Sequence, residues 1–122
     1  MKILCLGNEF IKQDSLAKKV GNKLKQSFNI VEIADSFQLI DVLKQGEERD
    51  EKFVILDVVS GLNIVRILDL DELEENKILT AHDFDAGVVL KLLKPRARIV
   101  GIPMQGDVEY IENQVRILVS SF

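Results

Sequence analysis

The sequence predicts an α/β fold: a three-layer, doubly wound and mostly parallel sheet with helices on both faces. Three observations predict it. Short apolar runs alternate with amphipathic stretches along the whole chain, the pattern of strand-helix-strand units. The strongest runs, Ile3-Leu4-Cys5-Leu6 and Phe53-Val54-Ile55-Leu56, are continuously apolar, as strands covered on both faces are. The stretches between them repeat their apolar residues every three or four positions.

Each element can be placed in order. Ile3 to Leu6 reads as the first strand, and Gly7-Asn8 breaks it. Asp14 or Ser15 can cap a helix over residues 16–24, in which Leu16, Val20 and Leu24 recur every four residues with lysines on the other side. Phe28 to Ile33 partly alternates and reads as a second strand. Phe37, Ile40 and Leu43 form a second helical stripe, ending near Gly46. The charged run from Gly46 to Lys52 reads as a solvated loop. Phe53 to Leu56 is the third strand, and Asp57 ends it. Ile64 to Leu70 follows too closely for a helical crossover, so it is expected to pair antiparallel, at an edge. Asp71 to Asn76 is acidic and expected to be exposed. Asp83 or Asp85 can cap a helix over residues 86–93, with Pro95 beyond its end. Arg98 to Ile102 reads as a fifth strand. Val108 to Leu118 reads as a closing helix with Tyr110, Ile111, Val115 and Leu118 facing inward.

Composition narrows the class. With 122 residues, 47% hydrophobic and 30% charged, the chain is expected to form one globular domain over residues 1–122. A net charge of -4 argues against a nucleic-acid surface, which needs clustered Lys and Arg. Cys5 is the one cysteine, so no intramolecular disulfide can form, and a small buried hydrophobe is its expected role. No signal core is visible and no apolar stretch approaches membrane-spanning length, so a cytoplasmic location and no membrane partner are expected.

Chemistry is expected at three side chains: Asp14, Asp57 and His82. Asp57 closes the most apolar strand, Asp14 lies in the loop after the first strand, and His82 lies before a late helix. In open α/β sheets, ligands collect outside the carboxyl ends of the strands, so these three can meet at one edge. Two carboxylates and an imidazole suit a divalent metal.

These residues also carry a resemblance. The opening from Ile3 to Asp14 (strand, Gly7-Asn8, the apolar pair Phe10-Ile11, then Asp14 before a helix) resembles the opening of the hydrogenase maturation endopeptidases. Ile55-Leu56-Asp57-Val58-Val59-Ser60-Gly61 resembles that family's second signature, a strand ending in Asp followed by small residues and Gly. Thr80-Ala81-His82-Asp83 resembles the third, a Ser- or Thr-x-His-Asp turn before a helix rich in Leu and Val. The matches come in the family's order and span most of the chain. Gln13, where many members carry a second acid, and Glu9, in place of an apolar residue, depart from the pattern.

The resemblance implies a phosphorylase/hydrolase-like fold and a peptidase. Its partner would be the large-subunit precursor of a nickel-iron hydrogenase, from which it would clip a C-terminal extension once nickel is in place. Asp14, Asp57 and His82 would be both the catalytic residues and the metal contacts, and the nickel would be supplied by the substrate. A monomer is expected. Either the metal or a carboxylate, Asp14 or Asp57, would activate water. Two other readings compete. A signalling receiver domain would be phosphorylated on Asp57, but the sequence has only Glu9 near the end of the first strand and no Lys in Gly101-Ile102-Pro103-Met104. A non-catalytic interaction module would keep the fold without the chemistry. A dinucleotide site is disfavoured because Gly7 stands alone, without a Gly-rich fingerprint.

Overall fold

The computed structural model describes residues 1–69, 93, 94 and 96–122. Five strands form one sheet: β1 (Lys2–Leu6), β2 (Asn29–Ile33), β3 (Phe53–Val59), β4 (Arg66–Leu68) and β5 (Ala97–Pro103). Their spatial order is β2-β1-β3-β5-β4. The pairs β1–β2, β1–β3 and β3–β5 are parallel, and β4 runs antiparallel to β5 at the outer margin. Among the described residues, three complete α-helices cover the sheet: α1 (Leu16–Leu24), α2 (Ser36–Glu48) and α3 (Val108–Ser120). The result is a mostly parallel α/β fold in three layers.

Strand parity divides the core in two. Ile3, Cys5, Val54, Leu56, Val100 and Ile102 point to one side, where Ala17, Val20 and Leu24 of α1 and Ile111, Val115 and Val119 of α3 close over them. Leu4, Leu6, Phe53, Ile55 and Ile99 point to the other, under Leu39 and Leu43 of α2 and Leu68 of β4. The strands carry apolar residues at both parities because both faces are covered.

The helices start on side-chain caps. Ser15, Asp35 and Asp107 each accept a hydrogen bond from the backbone N–H three residues on. Ser15, not Asp14, therefore caps α1. Helix α2 differs from the sequence reading in two ways. Its buried stripe is Ser36, Leu39, Leu43 and Gly46, and Phe37 is 60% exposed. Gly46 also lies within the helix rather than past its end, so the charged run from Gly46 is helical as far as Glu48.

Packing explains Gly46: a Cβ there would strike the ring of Phe53, so only glycine lets α2 sit this close to β3. The helix stops two residues later, at Glu48. Asp50 takes a left-handed φ of 53°, Glu51 N–H bonds to Gly46 C=O at 2.8 Å, and Asp50 N–H bonds to Glu47 C=O at 3.3 Å. These two bonds form a Schellman cap with Asp in the place glycine usually takes. In α3 the inward stripe is Ile111, Val115 and Val119, and Tyr110 is 55% exposed, outside it.

Cys5 is fully buried in β1 and is paired in register with Glu32 of β2. Burial, and then the Glu32 carboxylate, push its thiol up from 9.0 to about 12, against the opposing pull of Lys25 and Lys18. The folded thiol thus holds its proton more tightly than the unfolded one. Its contribution to stability is complete below about pH 9 and is lost as the pH rises towards about 12. At pH 8, a thiol reagent should label Cys5 only as fast as the protein unfolds, a rate readable by mass spectrometry in a urea series. Gly46→Ala should destabilise the fold by about 1–3 kcal/mol, measured by urea denaturation, because the Phe53 ring must move.

Candidate functional site at the sheet edge

The crevice of an open α/β sheet forms where the strand order reverses. Here β1 leads to β2 on one side and is flanked by β3 on the other, so the reversal lies between β1 and β3. Two of the sequence-derived candidates sit at that place. Asp57 is on β3, in the row Leu6–Asp57–Gly101, the last in which β1 takes part. Asp14 is in the connection that leaves β1 and leads to α1.

Asp57 does not end its strand. Pairing with β5 carries β3 on through Val58 and Val59, opposite Ile102 and Pro103. Only the β1 side stops at Asp57, which makes the residue an inner step in the carboxyl edge of the sheet. The residue is 4% exposed. It shares parity with Ile55 and Val59 and so belongs to the face under α2. On its β5 flank stands Gly101, where a Cβ would come within 2.9 Å of Leu68 and 3.0 Å of Leu62, so those leucines fill the space a side chain would need. Asp57 is one of two buried polar or charged residues among the described ones, the other being Ser36, and that sets it apart from the apolar strand around it.

The loop from Gly7 to Ser15 is built to a definite shape. Gly7 turns out of β1 with φ 99°, a backbone setting that favours glycine. One 3-10 turn follows, Asn8–Phe10, and the side chain of Phe10 is buried in the core beneath α1. Ser15 closes the loop. Its hydroxyl accepts from Lys18 N–H at 3.0 Å and donates towards the Glu9 carbonyl, with the Lys12 carbonyl 3.0 Å away. Asp14 stands beside this cap, exposed. It has no part in capping and leaves the helix start to Ser15.

Asp14 and Asp57 thus lie at one edge of the sheet but approach it from different faces. Asp14 precedes α1 on one face, and Asp57 points to the α2 face. His82, with Thr80 to Asp83 and residues 86–92 of the expected helix, lies outside the described residues, as do the acidic stretch from Asp71 to Asn76 and Pro95; Leu93, the last residue of that helix, is buried in the core on the α2 face. Among the described residues, no three His, Cys, Asp or Glu side chains come close enough together to hold a metal ion.

A second concavity opens at the opposite, amino-terminal edge of the sheet. This cleft of about 550 Å³ lies at the start of β3 and β5 and reaches Phe122 beyond α3. Lys52, Lys94, Arg96 and Arg98 line it. The sequence reading did not single it out, although the alternation Lys94-Pro95-Arg96-Ala97-Arg98 was a visible signal.

No family model matches the chain, and no curated protein does. Among solved structures, the chain is similar to the crystal structure of an uncharacterized protein from Wolinella succinogenes. The two share 16% sequence identity and a TM-score of 0.51 over 98% of this chain and 91% of that one. At that identity the likeness bears on the fold alone, and it agrees with the mostly parallel α/β architecture. No helix among the described residues is long and apolar enough to cross a membrane.

Ser15→Ala should lower stability by about 0.5–2 kcal/mol, because it removes the α1 cap and the tie to the Glu9 carbonyl together. Asp14→Ala, at an exposed position that caps nothing, should stay within about 0.5 kcal/mol of wild type. Thermal melts of the two variants beside wild type check both expectations.

Proposed function

We propose that this chain is a site-specific endopeptidase of the hydrogenase-maturation type. It would remove a C-terminal extension from the large-subunit precursor of a nickel-iron hydrogenase after nickel insertion. The observation that carries the reading is Asp57: a carboxyl group buried at the β1/β3 reversal, where the fold provides its crevice. The shaped loop that brings Asp14 to the same edge supports it, as do the three ordered sequence resemblances.

In this reading the nickel belongs to the substrate. Asp14, Asp57 and His82 would contact it, so that cleavage waits for a finished metal centre. Carboxylate oxygen and imidazole nitrogen together favour such an ion over magnesium. Asp57, at the β1/β3 reversal, would act as the general base on the attacking water, and Asp14, open to solvent, would meet the arriving precursor.

The receiver reading loses ground on topology. In the receiver arrangement, the strand next in sequence after the third lies beside it and the last strand lies at the margin. Here β5 lies beside β3, and β4 is at the margin, antiparallel.

Purified protein mixed with nickel-loaded precursor should release the extension, seen as a mass loss in the large subunit, and nickel-free precursor should stay intact. Asp14→Ala, Asp57→Asn and His82→Ala should each slow release by about 100-fold or more while keeping wild-type circular dichroism. Undiminished processing by all three variants would refute the assignment, as would equal cleavage of nickel-free precursor.

A further inference from the structure

The cleft at the amino-terminal edge is charged in a way that the chain's composition does not lead one to expect. The chain has 20 acidic and 16 basic residues. Among the described residues, those lining the cleft include four of the bases, Lys52, Lys94, Arg96 and Arg98, and none of the acids. Like charges gathered in a concave site repel one another, and an anion bound among them relieves that repulsion.

Arg96 gives a second, independent observation. Its Nε is buried and finds no hydrogen-bond partner among the described residues. Its Nη1 donates to Asp50 Oδ1 at 3.0 Å, but the Asp50 side chain is 87% exposed, so water competes for that carboxylate. The arginine is also fixed by its backbone: its carbonyl accepts from Phe53 N–H at 2.8 Å, joining the start of β3 to the start of β5. A guanidinium held in place and incompletely compensated is a prepared anchor for an oxyanion, which can take two of its N–H donors at once. Arg98 lies two residues on. Its guanidinium is stacked 5.1 Å from the centre of the Phe122 ring, which holds it at the cleft wall and leaves its edge able to donate. Lys94 adds an exposed ammonium group at the rim.

We propose that this cleft is a binding site for a small phosphate-bearing anion, separate from the crevice at the carboxyl edge. Arg96 and Arg98 supply planar, forked donors, and Lys94 supplies a point charge. The volume, about 550 Å³, exceeds what a lone phosphate fills and suits a pyrophosphate or the phosphate end of a nucleotide. The site rests on Arg96, Arg98, Lys94 and the cleft, and it stands whether or not the peptidase reading does.

The test is calorimetric titration of the full chain at low ionic strength with three probes: inorganic phosphate, pyrophosphate and adenosine 5′-monophosphate. Saturable binding of pyrophosphate should appear with a Kd of about 1 mM or tighter, and should weaken as salt is added. Tighter binding of the nucleotide than of inorganic phosphate would assign the site to nucleotides. Pyrophosphate binding tighter than that of the nucleotide would assign it to inorganic polyphosphates. Lys94→Gln with Arg98→Gln should weaken binding by about tenfold or more, Arg98→Lys should restore part of it, and Lys23→Gln, on α1, should have no effect. The two exposed positions leave the core untouched, and circular dichroism verifies that the double variant is folded. The proposal is overturned if no probe saturates at about 10 mM, or if the folded double variant binds as well as wild type.

Discussion

The structure depends on one constraint: β3 is enclosed on both flanks and both faces. Every backbone group between β1 and β5 must find its partner in those strands, and both sets of side chains must be apolar to lie under helices on each side. Phe53 to Leu56 meets that demand with four apolar residues of alternating direction. The same demand makes Asp57 informative. A carboxyl group tolerated in the row where β1 stops lies where the enclosure begins to open. Position in the sheet, more than residue type, makes this aspartate a candidate for chemistry and leaves Asp35 and Asp107 as helix caps.

Much of this was legible in the chain. Continuous apolar runs gave β1 and β3, because a doubly covered strand has no polar face to interrupt it. The four-residue recurrence of Leu16, Val20 and Leu24 gave α1 with its bounds, since Ser15 and the repeat agree on where it starts. The short gap after β3 was enough to foresee an antiparallel marginal strand, which is present as Arg66–Leu68. The errors share a cause: tertiary contact overrode a local pattern. Phe37 has the residue type and the spacing of a core position, yet Leu39 and Leu43 hold the buried stripe and leave it outside. Gly46 resembles a helix terminator, and only the Phe53 ring beneath it explains why it is a packing residue. Asp57 was read as the end of its strand because sequence shows where an apolar run stops, whereas pairing with β5 decides where the ladder stops.

The candidate site was legible in part. The sequence suggested that Asp14 and Asp57 share an edge, and the reversal between β1 and β3 gives that expectation a geometric basis. It did not show that they come from different faces, because that depends on strand parity relative to α1 and α2. The basic cleft was missed for a related reason. Lys52 is 42 positions from Lys94, and only the parallel alignment of β3 with β5 sets the starts of the two strands side by side.

The outer strands bear on how the molecule behaves in company. A sheet margin exposes unpaired amides and carbonyls that can template strands from other chains. One margin here is β4, three residues long and carrying Arg66. The other is β2, five residues long, whose Glu32 is tied to Lys18 at 2.5 Å and approached by Lys25 at 3.7 Å. Brief, charge-bearing borders give an incoming strand few bonds to make and an ion cluster to displace. The sheet is thus protected from edge-to-edge growth into fibrils at both ends by features that have no part in either cleft.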